Sequence, residues 1–332
     1  MMQADRATPD RTTADGPAAR SAPVPKRWTL HGLNNGLIFR WTVNGVGFLP
    51  RAVSYAIGDV GTWIAWRLMP GTRAALAHNL EALFPDEAPR ALERRALDTL
   101  RAYARDVIDF LVALDASDRE IKRLFTVVAE DGQLFRELLA RGQGLILVTG
   151  HYGNWELGSV LLRRVFDLPL TIVAMAEANP EVNRLRRDIR ERLNTDTIEV
   201  RQSLDTPLQI RRRLGDNRIV AMLMDRHMGR DSIDVTLLGR RARFLRTPAL
   251  MSYLTGAPLL PCFIQRVAGD QFSVRPGVPI SVSRELPREQ ALQQAAQQFA
   301  VQLDAQIRAN PQYWYHFYSY WKAQENSYDE LT

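Results

Sequence analysis

The sequence predicts an α/β protein with a central mixed sheet flanked by helices. Between about residues 145 and 277, short apolar runs with the character of buried strands alternate with amphipathic helical patterns. Such alternation is typical of a sheet with helices packed on its faces. The chain has 332 residues, of which 46% are hydrophobic, so it can form one large domain or two modest ones around a substantial core.

The N-terminal part is predicted to be a tail followed by helices. Residues 1–25 are rich in Ala, Pro, Thr, Asp and Arg without an apolar run, which indicates a disordered tail rather than a secretory signal. Residues 41–70 hold apolar and aromatic pieces separated by single charges, and none approaches the ~18 uncharged residues of a spanning helix. A helical hairpin at a membrane surface fits this segment, and so does a buried core helix. From Gly71 to about Leu114, apolar residues recur at three-to-four spacing, which indicates further helices.

Five apolar runs supply the predicted strands. They cover residues 145–150, 170–176, 218–224, 257–267 and 271–277. Helices are predicted from about Asn154, through 185–193, and over 288–309, where apolar residues line one face. Cys262 is the only cysteine, so no intrachain disulfide can form, and its apolar surroundings predict a buried, inert thiol.

The formal net charge is +6, and arginine supplies nearly all of the basic residues. Two explanations of this arginine excess are equally good. One is a biased nucleotide composition of the source genome, and the other is attraction to an anionic membrane, a phosphorylated lipid or an acidic carrier protein. The arginines are scattered and form no recognition motif, which argues against nucleic acid as a partner. The arginine clusters at 211–213 and 240–246 are candidate docking sites for an acidic carrier protein.

His151 is the candidate catalytic residue because it follows the predicted strand 145–150, and ligands in open α/β sheets collect at the carboxyl ends of strands. Three neighbours are candidate substrate-binding residues. Gly150 and Gly153 are expected to let a bulky substrate approach and to let the backbone turn sharply. Asn154 is expected to cap the next helix and to leave free backbone N–H groups facing the same crevice.

Two carboxylates are candidates for the partner of His151. Glu156 lies in the first turn of the predicted helix and can converge on a histidine in the preceding turn. Asp225 ends the strand 218–224, where it can orient the imidazole or hold an arginine, and Arg226 beside it is a further candidate for substrate binding. A carboxylate bonded to one ring nitrogen raises the basicity of the other, which prepares a general base. The alternative for His151 is a helix cap without chemistry.

The absence of other motifs narrows the reaction. The sequence has no Gly-x-Ser-x-Gly elbow, no phosphate-binding Gly-x4-Gly-Lys-Ser/Thr, no complete Gly-x-Gly-x-x-Gly and no zinc-type spacing of Cys or His. We therefore expect neither a metal nor a cofactor. A histidine–carboxylate base without a nucleophile favours direct transfer, in which a deprotonated substrate hydroxyl attacks an activated acyl group.

The motif His151-Tyr-Gly-Asn-Trp-Glu156 resembles the His-x4-Asp/Glu motif of the late lipid A acyltransferases and the related mannosyl-phosphatidylinositol acyltransferases. The resemblance extends from about Gly71 to Trp321. Further blocks carry it in the same order: residues 74–86, Asn179-Pro180 with the arginine-rich segment after it, Asp225, and residues 237–264.

This resemblance implies a glycerolipid acyltransferase-like fold with N-terminal membrane-associating helices. One acyltransferase domain would cover residues 26–332. It would consist of a helical part over 26–125, an α/β core over 126–286, and a C-terminal helix with an aromatic segment over 287–332.

The activity that the resemblance implies is a membrane-associated O-acyltransferase at the cytoplasmic face of the cytoplasmic membrane. The donor would be a thioester of acyl carrier protein or coenzyme A, the acceptor a hydroxyl of a lipid A precursor, and no covalent intermediate would form. His151 would be the general base, with Glu156 or Asp225 as its partner. Arg190 would lie near the reacting carbonyl, although a solvated basic face explains this arginine equally well.

The C-terminal segment 313–322 departs from the family pattern. Lipid A enzymes tend to end with an aromatic residue, then His-Arg-Arg and another aromatic, whereas Phe317 and Tyr318 stand here in place of the two arginines. Another glycolipid, a lysophospholipid or a lipid-like metabolite is therefore the alternative acceptor. A hydrolase with the same residues and a non-catalytic membrane-binding protein also fit the sequence. The aromatic side chains are expected mainly to pack this segment on the core.

Overall fold

The computed structural model describes residues 49–126, 129–175, 179–200, 205–268 and 271–329. The helices are α1 (Arg51–Leu68), α2 (Pro70–Leu80), α3 (Pro89–Asp115), α4 (Asp118–Leu124), α5 (Ala129–Leu139), α6 (Trp155–Val160, followed by a π-helical turn over Leu161–Val165), α7 (Pro180–Arg192), α8 (Asp205–Gly215), α9 (Thr247–Thr255), α10 (Arg288–Ala309) and α11 (Tyr320–Asp329). The strands are β1 (Phe125–Thr126), β2 (Leu145–Thr149), β3 (Leu170–Ala174), β4 (Asp196–Glu199), β5 (Ile219–Leu223), β6 (Ile233–Leu237), β7 (Arg240–Phe244), β8 (Leu259–Ala268) and β9 (Gln271–Pro276). The predicted tail over 1–25 lies outside the described residues, as does the first part of the proposed hairpin.

The main sheet has seven strands in the order β1-β9-β8-β2-β5-β3-β4. Its neighbours run parallel except for β8 and β9, which are antiparallel, so the sheet is mixed and the predicted fold class is confirmed. All five predicted strands are present. The antiparallel hairpin of β6 and β7 was missed because β7 reads Arg-Arg-Ala-Arg-Phe, which carries too much charge to look like a strand.

Helices cover both faces of the sheet, which explains why its central strands are nearly continuous apolar runs. On one face, Ile146 and Val148 of β2 join a core that includes Phe299 and Leu303 of α10. On the other face, Leu147 joins a second core with residues of α3 and α6. The predicted apolar face of α10 is confirmed, and Cys262 is buried in the second core as predicted.

A buried ionic cluster fastens α1 to the sheet. Asp109 on α3 accepts hydrogen bonds from Arg51 and from the Tyr55 hydroxyl, and it also forms an ion pair with Arg266 of β8. Arg266 lies 3.3 Å from a second carboxylate, that of Asp106. The cluster holds the start of α1 against α3 and β8. None of the helices in the described part of the chain is both long and apolar enough to cross a membrane.

Candidate active site

The sheet brings His151 and Asp225 together. Strands β2 and β5 are parallel neighbours in which Thr149 pairs with Leu223, and each candidate residue stands two positions beyond its member of that pair. The His151 Nδ1 atom lies 2.6 Å from Asp225 Oδ1, and the His151 backbone N–H donates to Asp225 Oδ2 at 2.7 Å. The carboxylate therefore holds both the ring and the backbone of the histidine.

Asp225 is fully buried and has a further donor that sequence analysis missed. The Nε2 atom of His316 lies 3.0 Å from Asp225 Oδ2, and the Tyr320 hydroxyl donates to the backbone carbonyl of Asp225 at 3.0 Å. The sequence predicted mainly a packing role for this aromatic segment. The available signal was a histidine within it, at the place where the resembling family also has one.

The electrostatics favour an ionised aspartate beside a neutral histidine. Burial raises the pKa of Asp225, but the donors on His151 and His316 outweigh this and hold that pKa well below its usual range. Burial and the nearby Arg226 guanidinium lower the pKa of His151 below its ordinary value, although Asp225 acts in the opposite direction. A carboxylate only accepts hydrogen bonds, so Nδ1 of His151 carries the proton and Nε2 keeps its lone pair.

Of the two candidate carboxylates, the structure pairs His151 with Asp225. Glu156 instead accepts a hydrogen bond from Nη1 of Arg186 at 2.5 Å. Glu156 is the second residue of α6, and its side chain extends towards α7 rather than back to the turn that holds His151. Glu156 remains on the wall of the same cavity, next to the histidine rather than bonded to it.

Gly153 and Asn154 have packing roles that sequence analysis did not anticipate. Gly153 has a φ of +63°, and a Cβ there would lie only 2.0 Å from the carbonyl oxygen of Ile264 on β8. The predicted N-cap is confirmed, because the Asn154 side chain accepts from the Leu157 N–H at 3.1 Å. Its amide group also donates to the Asp106 carbonyl at 2.8 Å.

The expectation of free N–H groups at this turn is wrong for three amides. The N–H of Gly153 donates to Tyr313, that of Asn154 to Ile264 and that of Leu157 to the Asn154 side chain. Gly150 is similarly enclosed, since a Cβ there would lie about 3 Å from Leu303 and from Asp225 Oδ2. The missing side chains of these glycines leave room for strand β8 and for the Asp225 carboxylate. Contact with substrate remains a prediction for Gly150, Gly153 and Asn154.

His151 lines a large cavity of about 850 Å³. Leu147, four residues before His151 on β2, lines it too, so the cavity follows the strand for about 13 Å at ~3.3 Å per residue. Small and apolar side chains from neighbouring strands complete this inner part: Ile172, Ala221, Cys262, Ile264 and Val274. Helices α1 and α3 contribute the opposite wall.

The end of the cavity at His151 is cationic. The guanidinium groups of Arg226, after β5, and of Arg186, on α7, act on the His151 ring, and Arg190 on α7 lines the same cavity with Glu156. The Arg226 guanidinium donates to the Tyr315 carbonyl at 3.3 Å and lies 5.2 Å from the centre of the Tyr318 ring. The cavity is therefore suited to a molecule with an apolar chain and a polar or anionic head.

Among the described residues, the His, Cys, Asp and Glu side chains that come close enough to share an ion are His151, Asp225 and His316. Their contacts, at 2.6 Å and 3.0 Å, are ordinary hydrogen bonds between ring nitrogens and a carboxylate. A zinc ion would need to lie ~2.0–2.2 Å from each of these atoms. We interpret the three side chains as a hydrogen-bonded network.

Three of the candidate docking arginines over 240–246 have acidic partners within the protein. Arg241 and Arg243 lie 2.5 Å and 3.5 Å from the carboxylate of Asp234 on β6, and Arg246 lies 2.6 Å from Glu289 of α10. These ion pairs neutralise much of the predicted basic patch at 240–246. Docking of a carrier protein on this segment remains a prediction.

The carboxyl ends of the parallel strands thus hold a neutral histidine beside a cavity suited to a lipid-like molecule. A family model described as "Bacterial lipid A biosynthesis acyltransferase" matches residues 24–323. The chain belongs to this family and is an enzyme that transfers acyl groups, with an acyl donor and a lipid acceptor implied by the family.

Curated relatives support the same assignment. The chain is similar to a phosphatidylinositol mannoside acyltransferase of Mycolicibacterium smegmatis, with 26% identity over 241 residues that span 66% of this chain and 78% of that protein. It is also similar to a phosphatidylinositol mannoside acyltransferase of Mycobacterium tuberculosis, with 28% identity over 178 residues, or 53% of this chain and 55% of that protein. The family resemblance predicted from the His151–Glu156 motif is confirmed.

Proposed function

We propose that this protein is an O-acyltransferase that moves a fatty acyl chain from a thioester to a hydroxyl group of a phosphorylated glycolipid. The observation that carries the proposal is the His151–Asp225 pair at the cationic end of the 850 Å³ cavity. A lipid A precursor is the first acceptor to test, because the family is named for that pathway. A phosphatidylinositol mannoside is the second, because the curated relatives carry that name.

His151 is the general base in this proposal. Its Nε2 atom takes the proton from the acceptor hydroxyl, and the hydroxyl oxygen attacks the thioester carbonyl carbon. The tetrahedral intermediate collapses to the new ester and a thiolate. The thiolate takes the proton from the His151 imidazolium and leaves as a thiol. Ionised Asp225 stabilises the transient imidazolium, and a general base of this kind contributes ~10²–10⁴ in rate.

The cationic residues stabilise negative charge in the same proposal. Arg186 and Arg226 lie close enough to act on the His151 ring, beside which the oxyanion would form, and Arg190 lines the same cavity. Preorganised positive charge directed at a developing oxyanion is among the largest contributions to catalysis. The same arginines suit the phosphate of an anionic acceptor or of a coenzyme A or carrier-protein donor.

The apolar part of the cavity is the proposed acyl-chain site. It follows β2 away from His151, so a thioester carbonyl beside the histidine places its chain along Leu147, Ala221 and Cys262. Each methylene group transferred from water into such a site contributes ~0.8 kcal/mol. No cofactor is required for this reaction.

A membrane surface is the proposed location of the reaction, at the cytoplasmic face of the cytoplasmic membrane. Large apolar side chains along the outer face of α1 are exposed: Val53, Ile57, Val60 and Trp63. The inner face of the same helix, including Gly58 and Thr62, lines the cavity. A helix that lies at the interface would therefore bring lipid to the cavity without crossing the bilayer.

The test is transfer of a radiolabelled acyl group by the wild type and by His151→Ala. Acyl carrier protein and coenzyme A thioesters serve as donors, and lipid A precursor, phosphatidylinositol mannoside or a lipid extract without either serves as acceptor. His78→Ala is the control, because His78 is a partly exposed histidine on α2. We expect label on a phosphorylated glycolipid, lost in His151→Ala and kept in the control.

Other outcomes contradict the proposal in distinct ways. Release of free fatty acid without acceptor dependence would identify a hydrolase. Transfer to a lipid without phosphate would overturn the acceptor class but keep the mechanism. Acyl transfer that persists in His151→Ala would refute the role of His151 as the general base.

A further inference from the structure

His316 contacts the catalytic pair from the side opposite the cavity. Its neighbours Tyr315 and Phe317 line the cavity, whereas His316 is fully buried with Nε2 3.0 Å from Asp225 Oδ2. Alternate side chains of an extended segment point to opposite sides, so the segment presents aromatic rings to the cavity and the imidazole to Asp225. His316 is therefore separated from the cavity, and its hydrogen bond to the catalytic pair goes to Asp225.

A buried asparagine fixes the position of this segment. The Asn79 side chain on α2 donates to the carbonyls of His316 and Tyr318 at 2.9 Å and 2.8 Å, and it accepts from the N–H of Tyr320 at 2.8 Å. Asn79 thereby bonds the backbone of His316 and of Tyr318 and Tyr320 after it. Asn79 lies within residues 74–86, one of the blocks that resemble the family, and this contact gives that block a structural role.

The hydrogen bonds around Asp225 divide its negative charge between two histidines. Oδ1 faces Nδ1 of His151, and Oδ2 faces the His151 backbone N–H and His316 Nε2. The other charged or titratable groups that act on His316 or rest against it are Arg226 and the Tyr318 and Tyr320 rings. Burial lowers the pKa of His316 to about 3, so this ring stays neutral and acts as a donor to Asp225.

We propose that His316 is a positioning residue for the base, which orients Asp225 and limits the negative charge that Asp225 presents to His151. This inference rests on the proposed function of His151 for its catalytic meaning. When the His316 donor is removed, more of the carboxylate charge acts on the His151 ring. The imidazolium form of His151 becomes more favourable and its pKa rises.

The experiment measures the pKa and the tautomer of the His151 ring directly. In full-length protein with isotope-labelled histidine, nuclear magnetic resonance gives the pKa and the tautomer of each ring, and the signals are assigned by single histidine substitutions. The variants are His316→Leu, which removes the donor, and His316→Gln, whose amide nitrogen reaches the position of Nε2. His78→Gln is the control at a partly exposed site.

We expect His316→Leu to raise the pKa of His151 by about half a unit or more relative to the wild type, and His316→Gln to restore most of the wild-type value. A His151 pKa and tautomer unchanged in folded His316→Leu would overturn the proposal, because a purely structural role leaves the ring unaffected. If His316→Leu does not fold, His316→Asn replaces it. The amide of Asn is too short to reach Asp225, so a His151 pKa equal in the Asn and Gln variants would equally overturn it.

Kinetics separate this inference from the proposed function. In an active preparation, kcat is expected to fall about ten- to a hundredfold in His316→Leu, with the acid limb of the pH profile moved to higher pH and KM little changed. The resonance experiment needs no substrate. A shifted His151 pKa in a protein without acyl transfer would contradict the proposed function and leave the positioning role intact.

Discussion

His151 and Asp225 occupy equivalent positions on neighbouring parallel strands, each two residues past the last paired residues of β2 and β5. Their separation of 2.6 Å follows from this register, because parallel neighbours end at the same edge of the sheet. The chain needs 74 residues and a helical crossover to bring them together. Asp225 is fully buried and bonds both the ring and the backbone of His151, so we expect the contact to persist without substrate.

The pairing of His151 with Asp225 predicts unequal effects for the two candidate carboxylates. Asp225→Asn keeps the shape of the side chain but removes the charge and favours the wrong tautomer of His151, so we expect kcat to fall by about 10²–10⁴. Glu156→Gln weakens the contact with Arg186 and leaves the His151–Asp225 hydrogen bond in place, so its effect is expected to be smaller. Steady-state kinetics on both variants test this, and a larger loss in Glu156→Gln would assign the partner role to Glu156.

The lowered pKa of His151 predicts the pH dependence of the reaction. A general base must be neutral, and a pKa below the ordinary 6.5 keeps it neutral throughout the neutral range. We therefore expect kcat to be constant above about pH 6.5 and to fall only at more acidic pH. Arg226→Gln removes a nearby positive charge, raises the pKa of His151 and moves the acid limb to higher pH. An acid limb that stays in place in this variant would contradict the electrostatic role of Arg226.

The inner cavity predicts which residue limits acyl chain length. Ala221 lies beside Leu147 on the cavity wall, and Ala221→Leu fills part of the proposed chain site. We expect kcat/KM for the longest accepted thioester to fall about tenfold or more, while short donors are unaffected. A series of donors of increasing chain length measures this. Cys262→Ala, which enlarges the cavity at the same wall, serves as the matched variant. Equal losses of kcat/KM for all chain lengths in Ala221→Leu would place the acyl chain elsewhere.

Asp106 predicts a loss of stability as the pH rises. Burial raises the pKa of Asp106 to about 7 in the folded protein, against 3.8 for an ordinary aspartate. The folded state thus binds the proton more tightly than the unfolded state. The stabilising contribution is complete below about pH 4 and is lost as the pH rises through 7.

We therefore expect the free energy of unfolding of Asp106→Asn to change less over this range than that of the wild type. The difference is at most roughly 4 kcal/mol, at ~1.36 kcal/mol per pKa unit. Urea denaturation at several pH values measures it. Asp98→Asn, an exposed change on the same helix, is the control, and parallel curves for Asp106→Asn and wild type would refute the shift.

The strands and the position of His151 could be predicted because they depend on local patterns. Apolar runs such as 145–150 are bounded by glycine, and a histidine directly after one of them must stand at a sheet edge. The same local view missed β7, in which Arg241 and Arg243 form ion pairs with Asp234 on the partner strand. In the sequence, a run of arginines looks like a solvated surface, because the carboxylate that neutralises it lies on another strand.

The sequence by itself determined the fold class, the family and the histidine at the strand end, since each depends on residues close together in the chain. Only the tertiary structure decided between Glu156 and Asp225, because that choice depends on which strand lies beside β2. Only the tertiary structure places His316, which is 91 residues from Asp225, beside that carboxylate. The Asn79 side chain holds the His316 backbone there by a hydrogen bond. The space between β2 and β8 is filled by the protein itself, so Gly153 meets the carbonyl of Ile264 rather than open space. Local spacing specifies elements, whereas the order of strands and the closeness of their packing specify partners.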